Sequence, residues 1–90
     1  MNLSGNEYDR RSVSARRCNR ILLQSIAKKL RELRKAKGIS QTDAYIDTDI
    51  HVARVETGRQ NISVSTLSDL CDYYEISLEE FFKGISVEAE

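Results

Sequence analysis

Histidine and cysteine are scarce in this chain, which has one histidine, His51, and two cysteines, Cys18 and Cys71. The cysteines stand far apart without CxxC spacing, and no Cys/His/Asp set surrounds His51 at ligand spacing. A zinc site and a disulfide scaffold are therefore not expected, no metal or cofactor is expected, and Cys71 reads as a small core residue. With no glycine-rich phosphate loop either, the chain does not read as an enzyme. Aromatic residues make up only 7% against 40% hydrophobic in total, so ninety residues must fold around a small, mostly aliphatic core as one domain. No apolar run approaches the roughly 18 residues of a membrane span, and no hydrophobic stretch follows Met1 as a secretory signal requires. The expectation is a cytoplasmic protein without a membrane partner.

The formal net charge is zero, which speaks against a phosphate-rich partner until the charges are located. Residues 1–38 carry eleven Lys/Arg against Glu7, Asp9 and Glu32, whereas residues 39–90 carry Arg54, Arg59 and Lys83 against eleven acids. The chain is polarised, basic first and acidic after.

Residues 1–17 hold few apolar positions and four arginines (Arg10, Arg11, Arg16 and Arg17), and read as a flexible basic arm. From about Asn19 an amphipathic helix is predicted, with Leu22, Ile26, Leu30 and Leu33 as its stripe and Leu23 and Ala27 widening it, ending before Gly38. Ser40 can accept from the Asp43 amide while the Asp43 carboxylate reaches back, so a short helix should begin at Gln41. Thr48 and Asp49 offer an N-cap for a second short helix carrying Ile50, Val52 and Val55, with Gly58 as its left-handed stop. Ser63 can cap a fourth helix, with Leu67, Leu70, Cys71 and Tyr74 on one face. A capping box of Ser77 and Glu80 starts a fifth, whose apolar side is Leu78, Phe81 and Phe82 and which stops near Gly84. No alternating strand pattern is present. The expected division is an arm at 1–17, a folded domain at 18–84 and a short acidic tail at 85–90.

The stretch Gly38 to Ser63, GISQTDAYIDTDIHVARVETGRQNIS, resembles the helix-turn-helix of the lambda-repressor-like, or XRE/Cro, family. Ser40-Gln41 and Val55-Glu56-Thr57-Gly58 stand where that pattern has its Ser-Gln and its apolar-Glu-any-Gly; LRELRKAKGIS before them resembles the family's first helix. GRQNIS matches its loop except that Ile62 stands where a proline is usual. The resemblance spans about Ser25 to Gly84. It implies an all-α, five-helix DNA-binding domain, and several spaced positions matching together are more specific than any lone motif.

The resemblance also implies roles. Gln41 corresponds to a glutamine that helps hold a backbone phosphate beside a helix N-terminus, where free amides and the helix dipole attract anions, and Thr42 lies beside it. Arg54 occupies a position that commonly faces the major groove, where arginine can give guanine two parallel hydrogen bonds, and His51 shares its face. Arg59, Gln60 and Asn61 correspond to a loop that in the family runs along the DNA backbone, and Thr57, just before them, is also an expected DNA-binding residue. Glu56 is structural in the family and pairs with an arginine of the first helix, here Arg34. The implied partner is double-stranded DNA, bound by a homodimer on a two-fold related site.

Two departures weigh on this reading. From Ser40 to Glu56 there are seventeen residues where the family pattern has twenty, a shortening that falls either in the turn or in the start of the recognition helix. The second placement is favoured, because a buried apolar residue after the turn, Ile50, is needed to hold the two helices together. Asp43, Asp47 and Asp49 also lie near surfaces that would meet phosphate. The rival expectation is accordingly a protein-interaction module, of antitoxin or anti-repressor type, that keeps the helix-turn-helix fold but takes a protein partner.

Overall fold

The computed structural model describes residues 19–85; the basic arm at 1–17, Cys18 and the tail from residue 86 onward lie outside that range. Among the described residues there are five helices and no strand: α1 Arg20–Ala36, α2 Gln41–Thr48, α3 Val52–Val55, α4 Val64–Tyr73 and α5 Leu78–Lys83.

Local chemistry explains most of the boundaries. Asn19 starts α1 by accepting from the Leu22 amide at 2.9 Å. Ser40, Ser63 and Ser77 each accept from the amide three residues on, at 3.0 Å, and so open α2, α4 and α5. Each such cap contributes about 1 kcal/mol. Among the described residues neither Asp43 nor Glu80 returns the bond, so both capping boxes are one-sided. The α1 stop combines a Gly38 amide bond to Lys35 O with an Ile39 amide bond to Arg34 O. Gly38 takes φ +71°, a turn that suits glycine, and Ile39 then folds its side chain onto the core. The same arrangement closes α4, with Glu75 at φ +65° in glycine's place and paired to Lys37 of the first turn.

The core is the predicted aliphatic cluster with two large rings, Tyr74 at the C-cap of α4 and Phe81 in α5. Leu23, Ile26, Ala27 and Leu30 recur at helical spacing on α1 and are buried, and Ile26 and Leu30 meet Ala44, Val52, Leu67, Leu70, Cys71, Tyr74 and Phe81 in one cluster. Cys71 is thus the small core residue expected, and burial pushes its thiol pKa up. Burial, with the charge of Glu56, pushes Tyr74 up to about 12, so its phenol stays neutral at any physiological pH.

One expectation fails at the turn. Thr48 and Asp49 do not cap the third helix: Thr48 is the last residue of α2 and Asp49 is its left-handed cap at φ +63°. The reason is that the Thr48 hydroxyl is already engaged, donating to Ala44 O at 2.7 Å and accepting from the Ile50 amide at 3.1 Å. The third helix starts only at Val52, with His51 at its N-cap position and no side-chain cap bond. The shortening therefore falls in the start of α3, which keeps a single turn of helix, and Ile50 packs against the core as the plug between the two helices.

Candidate nucleic-acid interface

The site is built on a buried ion pair. Arg34 reaches from α1 to Glu56, just past α3, with Nε donating to Oε2 at 2.7 Å and Nη2 to Oε1 at 2.9 Å. Its remaining nitrogen, Nη1, donates to Ile39 O at 2.8 Å. Both side chains are nearly inaccessible, at 9% and 3%. Burial acts against the Glu56 charge, but the hydrogen bonds from Arg34 and Gln41 and the charges of Arg34 and Arg31 together hold its carboxyl below the ordinary range. The hydrogen bond to Glu56 raises Arg34 in turn, against a smaller effect of burial. The pair ties the end of α3 to α1 and to the loop before α2, setting where the α2–α3 unit sits.

Gln41 belongs to the same network. Its Nε2 donates to Glu56 Oε1 at 2.8 Å, although the residue itself is exposed. The expected phosphate ligand is thus positioned by the buried carboxylate, and its second amide hydrogen and its carbonyl remain for a ligand.

Between α2 and α3 lies an open groove of about 320 Å³ lined by Gln41, Thr42, Tyr45, His51, Val52, Ala53 and Arg54. Four of the expected residues, Gln41, Thr42, His51 and Arg54, therefore meet at one place. Tyr45 was not foreseen. It lies one helical turn after Gln41, a spacing that puts both on one face of α2. Its ring stacks on His51 with centroids 4.9 Å apart and planes 25° from parallel, so the two rings hold each other at the groove they both line.

Two of the three aspartates point away from this groove. The Tyr73 hydroxyl donates to Asp47 at 2.5 Å, and Asp43, one turn earlier, lies on the same flank, so that both charges act on Tyr73. With that bond as the largest cause, the Tyr73 phenol is pushed up to about 12. The repulsion expected from these acids falls on the α4 side of α2. Asp49 closes α2 through its backbone, its amide donating to Tyr45 O, and the residue is exposed in the turn.

Thr57 and Arg59 face a second groove, described below, while Gln60 and Asn61 are exposed in the loop beyond and line neither groove. Among the described residues no group of three or more His, Cys, Asp or Glu side chains is placed to hold a metal ion, and no helix is long and apolar enough to cross a membrane.

A short helix packed across a tight turn from a second one, with exposed polar and cationic side chains between them and a five-helix core behind, defines a helix-turn-helix domain. A family model described as helix-turn-helix matches residues 30–81, more than half of the chain. The chain belongs to this family of XRE, lambda-repressor-like DNA-binding regulators, whose members are typically not enzymes. Comparison with curated proteins and with solved structures gives no match.

Proposed function

We propose that the chain is a sequence-specific double-stranded DNA-binding transcriptional regulator of bacterial or phage type, acting in the cytoplasm as a homodimer. The basic segment 1–17 serves as an arm on the DNA, residues 18–84 as the binding domain and 85–90 as an acidic tail. The observation that carries this reading is the convergence of Gln41, Thr42, His51 and Arg54 on one open groove of a helix-turn-helix. Gln41 supplies a backbone contact held in place by Glu56, and Arg54 supplies the fork that can read a guanine edge. Because α3 has one turn only, few side chains can enter the major groove. Arg54 therefore carries an unusual share of the discrimination, with the arm, Thr57, Arg59, Gln60 and Asn61 adding affinity along the backbone.

Selection from a pool of random duplexes tests this. Wild type is expected to enrich one motif, with two copies related by a two-fold axis if a dimer binds. Arg54→Ala should flatten the preference at a single base pair by about 1 to 3 kcal/mol while leaving low-salt affinity largely intact. A motif retained in full by Arg54→Ala would refute the assignment.

The shortness of α3 favours a second reading, a protein-interaction module of antitoxin or anti-repressor type on the same fold. Absence of any enriched motif at low salt would support it over the first.

A further inference from the structure

A second groove, of about 350 Å³, is lined by Arg20, Gln24, Thr57, Gly58 and Arg59. One wall is the first turn of α1 and the other is the segment leaving α3. They meet at Gly58, whose φ is +68° and where a Cβ would stand 3.2 Å from Gln24 Cα. Glycine suits this position because a side chain would crowd Gln24 and strain a positive φ, and the close approach brings Arg59 to the same groove as Arg20. The two arginines carry like charge, and among the described residues neither forms a salt bridge, a state they share with Lys29, Arg31, Lys35 and Arg54. Two cations around one polar groove repel each other, and an anion seated between them turns that repulsion into attraction.

The groove is also coupled to the first. The Thr57 hydroxyl donates to Arg54 O at 2.7 Å and accepts from the Arg59 amide at 3.2 Å, so one side chain fixes the geometry of both arginines' backbone. We propose that Arg20 and Arg59 form a clamp for a backbone phosphate of the same duplex whose base edges meet Arg54, and that Arg20 is a DNA-binding residue. Guanidinium forks match phosphate oxygens with paired donors, and a clamp built from two separate elements fixes the position of the domain on the duplex without reading sequence. This inference rests on the DNA-binding reading of the α2–α3 groove.

The test is anisotropy titration of the full-length chain with a random-sequence duplex across a salt series, for wild type, Arg20→Ala and Lys35→Ala. Lys35 is an exposed α1 cation outside the groove, and alanine is compatible with both helix positions. Arg20→Ala should make the log–log salt slope shallower by about 0.9, the loss of one phosphate contact, with Lys35→Ala close to wild type. In the duplex pool Arg20→Ala should enrich the wild-type motif unchanged. An Arg20→Ala slope equal to wild type, or an equal effect from Lys35→Ala, overturns the clamp while leaving the DNA reading intact. A wild type that binds no duplex at low salt overturns both. Calorimetric titration with inorganic phosphate in place of DNA should give no saturable binding; saturation there with an unchanged duplex slope would assign the groove to a free anion and also overturn the clamp.

Discussion

Glu56→Ala is expected to lower the unfolding free energy by about 3 to 5 kcal/mol, because it leaves the Arg34 guanidinium buried without its counter-charge. Small domains are stable by only about 5 to 15 kcal/mol, so this one substitution brings the fold near its limit. The geometry makes the loss large. Arg34 spends Nε and Nη2 on the carboxylate and Nη1 on Ile39 O, and alanine removes two of those three contacts. Gln41 loses its partner as well, so the α2 N-terminus should loosen and DNA affinity should fall beyond what unfolding alone explains. An exposed pair behaves differently. Lys28 and Glu32 lie 3.8 Å apart with side chains 72% and 59% accessible, and Glu32→Ala should change stability by less than about 0.5 kcal/mol. Urea denaturation of the two variants decides the matter; similar midpoints for Glu56→Ala and wild type would mean that the pair carries no net stability.

The same pair sets an acid limit. The Glu56 carboxyl is held below its ordinary value in the folded state, since the hydrogen bonds and charges around it outweigh the opposing effect of burial. The unfolded chain therefore takes up a proton there first. The contribution of the pair is fully present above the unfolded carboxylate value of about 4.3 and drains away as pH falls through the lower folded value. Arg34 stays charged throughout, because its own value is raised. Wild type should lose stability steeply below about pH 4, and Glu56→Gln, lacking the titrating group, should show a flatter profile from a lower start. Parallel profiles would remove Glu56 from the acid transition.

Which parts of this were legible in the sequence follows from how local each signal is. Serine caps declare themselves within four residues, and Ser40, Ser63 and Ser77 each open the helix they predict. The Arg34–Glu56 pair, 22 residues apart, was legible only through the family resemblance, because no local pattern links α1 to the segment after α3. Thr48 misled for a physical reason: the same hydroxyl that can cap a following helix can bond back to the carbonyl four residues earlier, and the choice depends on whether α2 still has a free carbonyl there. Arg20 was invisible as a candidate. It becomes one only when Gly58 brings the turn after α3 onto Gln24, a long-range contact that charge and periodicity do not encode. The stack of Tyr45 on His51 was not foreseen either, because it joins α2 to the residue beyond the turn and no local pattern encodes that contact.

Adjacent phenylalanines at the end of the domain show the same limit and carry the second large effect. Sequence alone places Phe81 and Phe82 together on the apolar side of the last helix, yet Phe81 is fully buried and Phe82 is 44% exposed. Successive residues on a helix point about 100° apart, so only one can face the core, and the Phe81 ring joins the cluster with Leu70, Cys71 and Tyr74. Phe81→Ala should therefore cost about 3 to 5 kcal/mol through lost burial and the cavity left behind. Phe82 meets Phe81 edge-on, with centroids 5.3 Å apart and planes 87° to each other, so Phe82→Ala forfeits that edge contact and part of one face, about 1 kcal/mol. Equal thermal shifts for the two would contradict the burial assignment. A large loss for Phe81 alone would make α5, despite its six residues, an integral part of the core that holds α1 and α4 behind α2 and α3. Truncation before Ser77 should then abolish folding together with DNA binding, since the six-residue helix supplies the only aromatic ring of the described core beyond Tyr74.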